Sequence, residues 1–135
     1  MKLRNGAIQA FEQATPPKLA AGLFWLAVAF TMVAALLPEP PTPLPFEAGD
    51  KVQHMLAFAV LSVLAAAAFP RRRLLELFAA MALLGGLIEA LQMIPALHRD
   101  AEVLDWVADC AASMAALVIW FGARRLVARL RGASG

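Results

Sequence analysis

The sequence predicts an all-α polytopic membrane protein, with four transmembrane helices in one bundle. Three observations point there. Of 135 residues, 61% are hydrophobic and 16% are charged, against about 45–50% and roughly 25% in average soluble domains. Four stretches are long and apolar enough to cross a hydrocarbon core of about 30 Å, which takes roughly 20 helical residues. Prolines and short polar segments separate these stretches. A soluble domain of this size has too little interior to hide so much apolar matter, and disorder needs low hydrophobicity. The strand alternation of a small β-barrel is absent.

The spans follow in order. Leu19–Leu37 carries no charge. It is longer than a signal-peptide core and lacks a clear small-residue cleavage site, so it reads as a retained helix. Pro38, Pro40, Pro41, Pro43 and Pro45 then make an extended loop. Val52–Phe69 is entered through Asp50 and Lys51 and closed by Pro70. Leu74–Ile94 carries Glu76 near its start and Glu89 near its end, and Pro95 closes it. Val103–Ala123 carries Asp105 and Asp109. Residues 1–18 form a short leading segment, and 124–135 form a basic tail. Cys110 is the single cysteine and reads as packing within an apolar run.

Basic residues predict the orientation. Ten of the twelve lysines and arginines fall on one side: Lys2, Arg4, Lys18, Arg71–Arg73, Arg124, Arg125, Arg129 and Arg131. That side, with both termini, is expected to be cytoplasmic. Lys51 and Arg99 lie on the other side. Arg71–Arg73 reads as a topology determinant that meets anionic headgroups rather than nucleic acid. Trp106 and Trp120 flank the last span and read as interfacial anchors.

The intramembrane charges are the candidate site, because each costs a few kcal/mol, about 2.5–3.5 at a helix centre, and needs a reason. Asp50, Lys51 and His54 open the second span. Glu89 and Gln92 end the third, and His98, Arg99, Asp100 and Glu102 fill the next loop. Asp105 and Asp109 open the fourth. All belong to the outer leaflet. His54, Glu89 and Asp109 are expected at one depth, roughly 5–10 Å inside their helix ends. Spacings of three and four put each set on one helix face. Those faces continue with small residues, Ala82, Gly85 and Gly86 in one helix and Ala112 and Ala116 in the other. Small residues permit close approach in lipid, so the polar faces are expected to meet inside the bundle. Carboxylates outnumber cations there. His54, Glu89, Asp105 and Asp109 are residue types that can hold a divalent metal, a proton or a cationic ligand.

The order and spacing of these residues resembles the VanZ-like family of small bacterial membrane proteins. The matching pieces are Asp50-Lys51-x-x-His54 followed by Phe58 and Leu61, Glu89-x-x-Gln92, Arg99, and Asp105-x-x-x-Asp109. The match runs from about Asp50 to Ala116, half the chain. The chain departs from the family in Asp109, where Asn is frequent, and in alanines such as Ala112, where Gly is frequent. The family takes its name from a member linked to resistance to the glycopeptide teicoplanin. The resemblance thus implies the bacterial inner membrane and the cell envelope, and says less about a reaction.

Three classes of function fit these residues. The first binds or modifies an anionic lipid or a lipid-linked cell-wall precursor. Lys51 and Arg99 would hold phosphate, and His54 would act as acid or base with Glu89 and Asp105 as partners. Asp50, Gln92 and Asp109 would complete the binding surface. The second is a small proton-coupled transporter. Small multidrug pumps carry their key carboxylate deep in the first helix, where this chain has none. The third is a structural or assembly protein whose salt bridges only hold the bundle together.

Overall fold

The computed structural model describes residues 17–38, 49–98 and 101–133. Among them the chain is all-helical: α1 Pro17–Leu36, α2 Asp50–Ala68, α3 Leu74–Gln92 and α4 Val103–Gly132, with a short 3-10 turn at Pro95–Leu97 before α4. The first three helices begin and end within two residues of the predicted spans. The fourth does not stop at Ala123. Its 30 residues reach about 45 Å at 1.5 Å per residue, so the basic tail is, as far as Gly132, a direct continuation of the helix. The proline-rich connection after Pro38 lies outside the described residues, as do the leading 16 residues, Arg99 and Asp100.

Each helix is apolar around most of its circumference, which is why its packing cannot be read from a simple amphipathic stripe. Leu26, Leu83 and Ile119 are 68%, 75% and 71% exposed. Such faces suit lipid and not water. All four helices are long and apolar enough to cross a membrane, and the chain is a multi-pass membrane protein.

The faces turned inward are built from small or shape-matched groups. α2 lies at the centre, packed against α1 and α4, and α4 packs in turn against α3. The buried side chains include Phe58, Leu61, Ala65 and Ala66 of α2, Leu77, Met81 and Ile88 of α3, Leu117 of α4 and Phe24 of α1. Alanines let α2 lie close to its neighbours where no hydrophobic force draws helices together in lipid. At one end of the bundle lie the C-termini of α1 and α3 and the N-termini of α2 and α4. The contacts of Lys51 with Asp105 and of Gln92 with Ala35 both fall there. α2 and α4 therefore run parallel, side by side, from this polar end.

The two tryptophans that flank α4 also make contacts inside the bundle. The Trp106 indole N–H donates to the Ala82 carbonyl at 2.9 Å, and its ring lies over Gly85 and Gly86 of α3. It clips α4 to α3 rather than only anchoring a helix at the headgroups. Trp120 is half-buried and packs against the core. Its indole nitrogen is buried, with no hydrogen-bond partner among the described residues.

Candidate functional site

The polar end is assembled mainly along the α2–α4 seam. Lys51 Nζ is 2.9 Å from Asp105 Oδ1 and 3.6 Å from Glu102 Oε2. One turn deeper, His54 Nδ1 is 3.7 Å from Asp109 Oδ2, an ion pair whenever the imidazole is protonated. Sequence spacing explains the register. Lys51 to His54 is three residues and Asp105 to Asp109 is four, about one helical turn on each strand of the seam, so parallel helices bring both pairs level.

Burial separates the two pairs. The Lys51 side chain is 43% exposed, whereas His54 and Asp109 are 11% and 3% exposed. Lys51 with Asp105 and Glu102 forms the mouth of the seam, and His54 with Asp109 forms its floor. Below the floor the α4 stripe continues through Ser113 to Leu117, both fully buried. The Ser113 hydroxyl has no hydrogen-bond partner among the described residues. On α2, Ser62 is also fully buried and donates back to the Phe58 carbonyl at 2.7 Å.

Glu89 and Gln92 act on helix ends. The first four N–H groups and last four carbonyls of a helix lack partners within it. Glu89 Oε2 accepts the backbone N–H of Glu102 at 2.9 Å, immediately before α4 begins. Glu102 makes no capping bond with its own side chain, so α3 supplies the acceptor. Gln92 Nε2 donates to the carbonyl of Ala35 at 2.9 Å, one residue from the end of α1. The pair Glu89-x-x-Gln92 is thus a double cap that binds α3 to both neighbours.

The sequence-derived residues are therefore partly reunited. Lys51, His54, Asp105 and Asp109 meet on the α2–α4 seam, and Glu89 reaches the start of α4. Gln92 is buried and turns toward α1, not toward the seam. A spacing of three residues rotates the helix by about 300°, enough to send neighbours on one broad face to different partners. Asp50 opens α2, but its side chain lies outside the described residues, as does Arg99. Glu102 and Trp106 belong to the site's frame and were not among the candidate ligands. The first turn of a helix opposite a lysine was the signal for Glu102. The notch of Gly85 and Gly86 was the signal for Trp106.

A divalent metal was one of three occupants that His54, Glu89, Asp105 and Asp109 could hold by residue type, and their arrangement does not gather them round one point. Among the described residues no group of three or more His, Cys, Asp and Glu side chains is placed to hold one ion. The reason is that Glu89 is spent on the α4 backbone and Asp105 on Lys51, leaving His54 and Asp109 as a pair.

Comparison with known proteins gives no relative: no family model, no curated protein and no solved structure matches the chain.

Proposed function

We propose that the chain is a multi-pass protein of the bacterial inner membrane, akin to the VanZ-like proteins of the cell envelope, with both termini cytoplasmic. In this reading the mouth of the α2–α4 seam binds the phosphate-bearing headgroup of a lipid or lipid-linked glycan on the outer face. The observation that carries it is the buried His54–Asp109 pair directly beneath the half-exposed Lys51. Apolar side chains would hold α2 on α4 with less desolvation. A charged floor under an open cation fits ligand recognition better than registration alone. The Lys51 side chain is 43% exposed beside its two carboxylate partners and can donate to a phosphate oxygen, and Arg99, in the connection between α3 and α4, is the other basic residue of that side in sequence.

The test is binding of a polyprenyl phosphate against the corresponding polyprenol by the purified protein. The phosphate form should bind more tightly. Lys51→Gln should cost about tenfold or more, the loss of one hydrogen bond between charged groups. Equal binding of the two lipids would refute the reading.

A second reading has its own support. Glu89, Glu102, Asp105 and Asp109 each have a partner within the chain, as a purely structural network would. It predicts that Lys51→Asp combined with Asp105→Lys keeps both stability and whatever activity the protein has in cells. Under the binding reading, the exchange restores stability alone.

A further inference from the structure

The end of the bundle opposite the seam carries a charged surface of its own. Lys18 of α1, Arg71, Arg72 and Arg73 of the α2–α3 turn, and Arg124 and Arg125 of α4 are all exposed. Three parts of the fold bring them together. Phe24 packs edge-on against Phe69, with ring centroids 5.6 Å apart, which seats the start of α1 on the end of α2. α4 packs against both α2 and α3. Among the described residues only Arg72 of these six cations faces a carboxylate, Glu76 at 3.4 Å, and Glu76 is the only carboxylate at this end.

Height selects the partner. The first 20 residues of α4 span about 30 Å, the thickness of the hydrocarbon core. Arg124 and Arg125 follow immediately, at the level of lipid phosphates. Leu126 and Leu130, one turn apart on the continuing helix, are 58% and 61% exposed. Apolar side chains interleaved with arginine suit the boundary between acyl chains and headgroups, whereas a nucleic-acid face has no use for them.

We propose that this basic end is a shelf that selects anionic phospholipids, with guanidinium groups of Arg71–Arg73 and Arg124–Arg125 pairing with lipid phosphates. It is independent of the α2–α4 seam and of any ligand bound there.

The experiment is native mass spectrometry of the delipidated full chain, titrated with phosphatidylglycerol and with phosphatidylcholine of identical acyl chains. Phosphatidylglycerol should bind preferentially, and the preference should shrink in 1 M salt, where screening acts within about 3 Å. Arg71→Gln/Arg72→Gln/Arg73→Gln should lower the preference by about fivefold for each arginine in contact. If that variant fails to fold, Arg124→Gln/Arg125→Gln reads the same surface from another helix. Ala101→Gln, an exposed position at the far end outside the seam, should keep the preference. Equal affinity for the two lipids would overturn the proposal, as would a preference that survives in both arginine variants. Displacement of phosphatidylglycerol by an equal charge concentration of oligonucleotide would overturn it in favour of a nucleic-acid face.

Discussion

Glu89 caps the start of α4 while Gln92, three residues on, caps the end of α1. One short stretch of α3 thereby satisfies backbone groups of two other helices. A carboxylate at a helix N-terminus also meets the positive end of the helix dipole. The consequence is mechanical: α1 and α4 are positioned relative to each other through α3.

The two caps should be separable by mutation. Glu89→Ala removes acceptor and charge and is expected to cost about 1 kcal/mol, the usual worth of an N-terminal cap. Glu89→Gln keeps an acceptor and loses only the charge, roughly 0.3–1 kcal/mol. Gln92→Leu leaves the Ala35 carbonyl unpaired and is expected to cost about 1–3 kcal/mol. Thermal unfolding in detergent should rank Glu89→Ala below Glu89→Gln. Wild-type midpoints for Glu89→Ala and Gln92→Leu would show that the caps contribute nothing.

The His54–Asp109 pair should behave as a unit. Removing one partner of a buried pair leaves the other charge without compensation, a change that costs about 3–5 kcal/mol in soluble proteins. Asp109→Ala and His54→Ala are therefore each expected to destabilise, and the double variant by less than their sum. A double-mutant cycle on unfolding should return a coupling of about 0.5–3 kcal/mol. Zero coupling would mean that the 3.7 Å approach carries no energy. His54→Gln, which keeps polarity and approximate size, is expected to destabilise less than His54→Ala. If His54 handles protons for the protein's activity, that variant should insert and accumulate yet fail in a complementation assay.

Gly85 should be the least replaceable glycine among the described residues. A Cβ placed there would meet Trp106 Cδ1 at 3.1 Å and the Phe58 ring at 3.4 Å. The Phe58 ring is fully buried and Trp106 is tied to the Ala82 carbonyl, so Gly85→Ala is expected to cost about 1–3 kcal/mol, as overpacking does. Gly86→Ala would meet Trp106 at an ordinary 3.7 Å, and Gly22→Ala and Gly122→Ala would meet nothing within 4 Å. Those three should be neutral or stabilising, since alanine favours helix. The order of unfolding midpoints across the four variants checks the contact of α4 with α3. A Gly85→Ala protein as stable as the others would disprove the Trp106 notch.

The charged seam was legible because it rests on helix length and spacing. Lys51, His54, Asp105 and Asp109 sit at one-turn intervals from two helix starts, and parallel packing then aligns them. What was not legible depends on small rotations. Glu89 and Gln92 share a broad face by spacing, yet a rotation of about 60° separates their partners. The stripe below Asp109 was assigned to Ala112 and Ala116, whereas Ser113 and Leu117 are its fully buried members. A three-residue and a four-residue step are equally good in sequence, and only the position of α2 decides between them. The length of α4 was missed for a different reason. Arginines end an apolar span but do not end a helix, because their propensity to continue it is high.

The orientation of the bundle remains an expectation from charge, and it decides which face of the membrane the seam serves. Ten of the twelve basic residues fall on the side of the α2–α3 turn and the end of α4, which predicts that Lys51 and Glu102 lie outside. Labelling can check this directly. With Cys110 replaced by alanine, single cysteines at Thr42, Ala101 and Ala133 report two connections and the end of α4. Ala101 and Ala133 are exposed in the fold, so protein packing will not shield them. An impermeant thiol reagent applied to intact cells should modify Thr42→Cys and Ala101→Cys and should leave Ala133→Cys unlabelled until the cells are opened. The reverse pattern would put the seam in the cytoplasm. Lys51 would then face soluble phosphates as well as lipid, and the outward lipid-linked glycan would lose its access to the site.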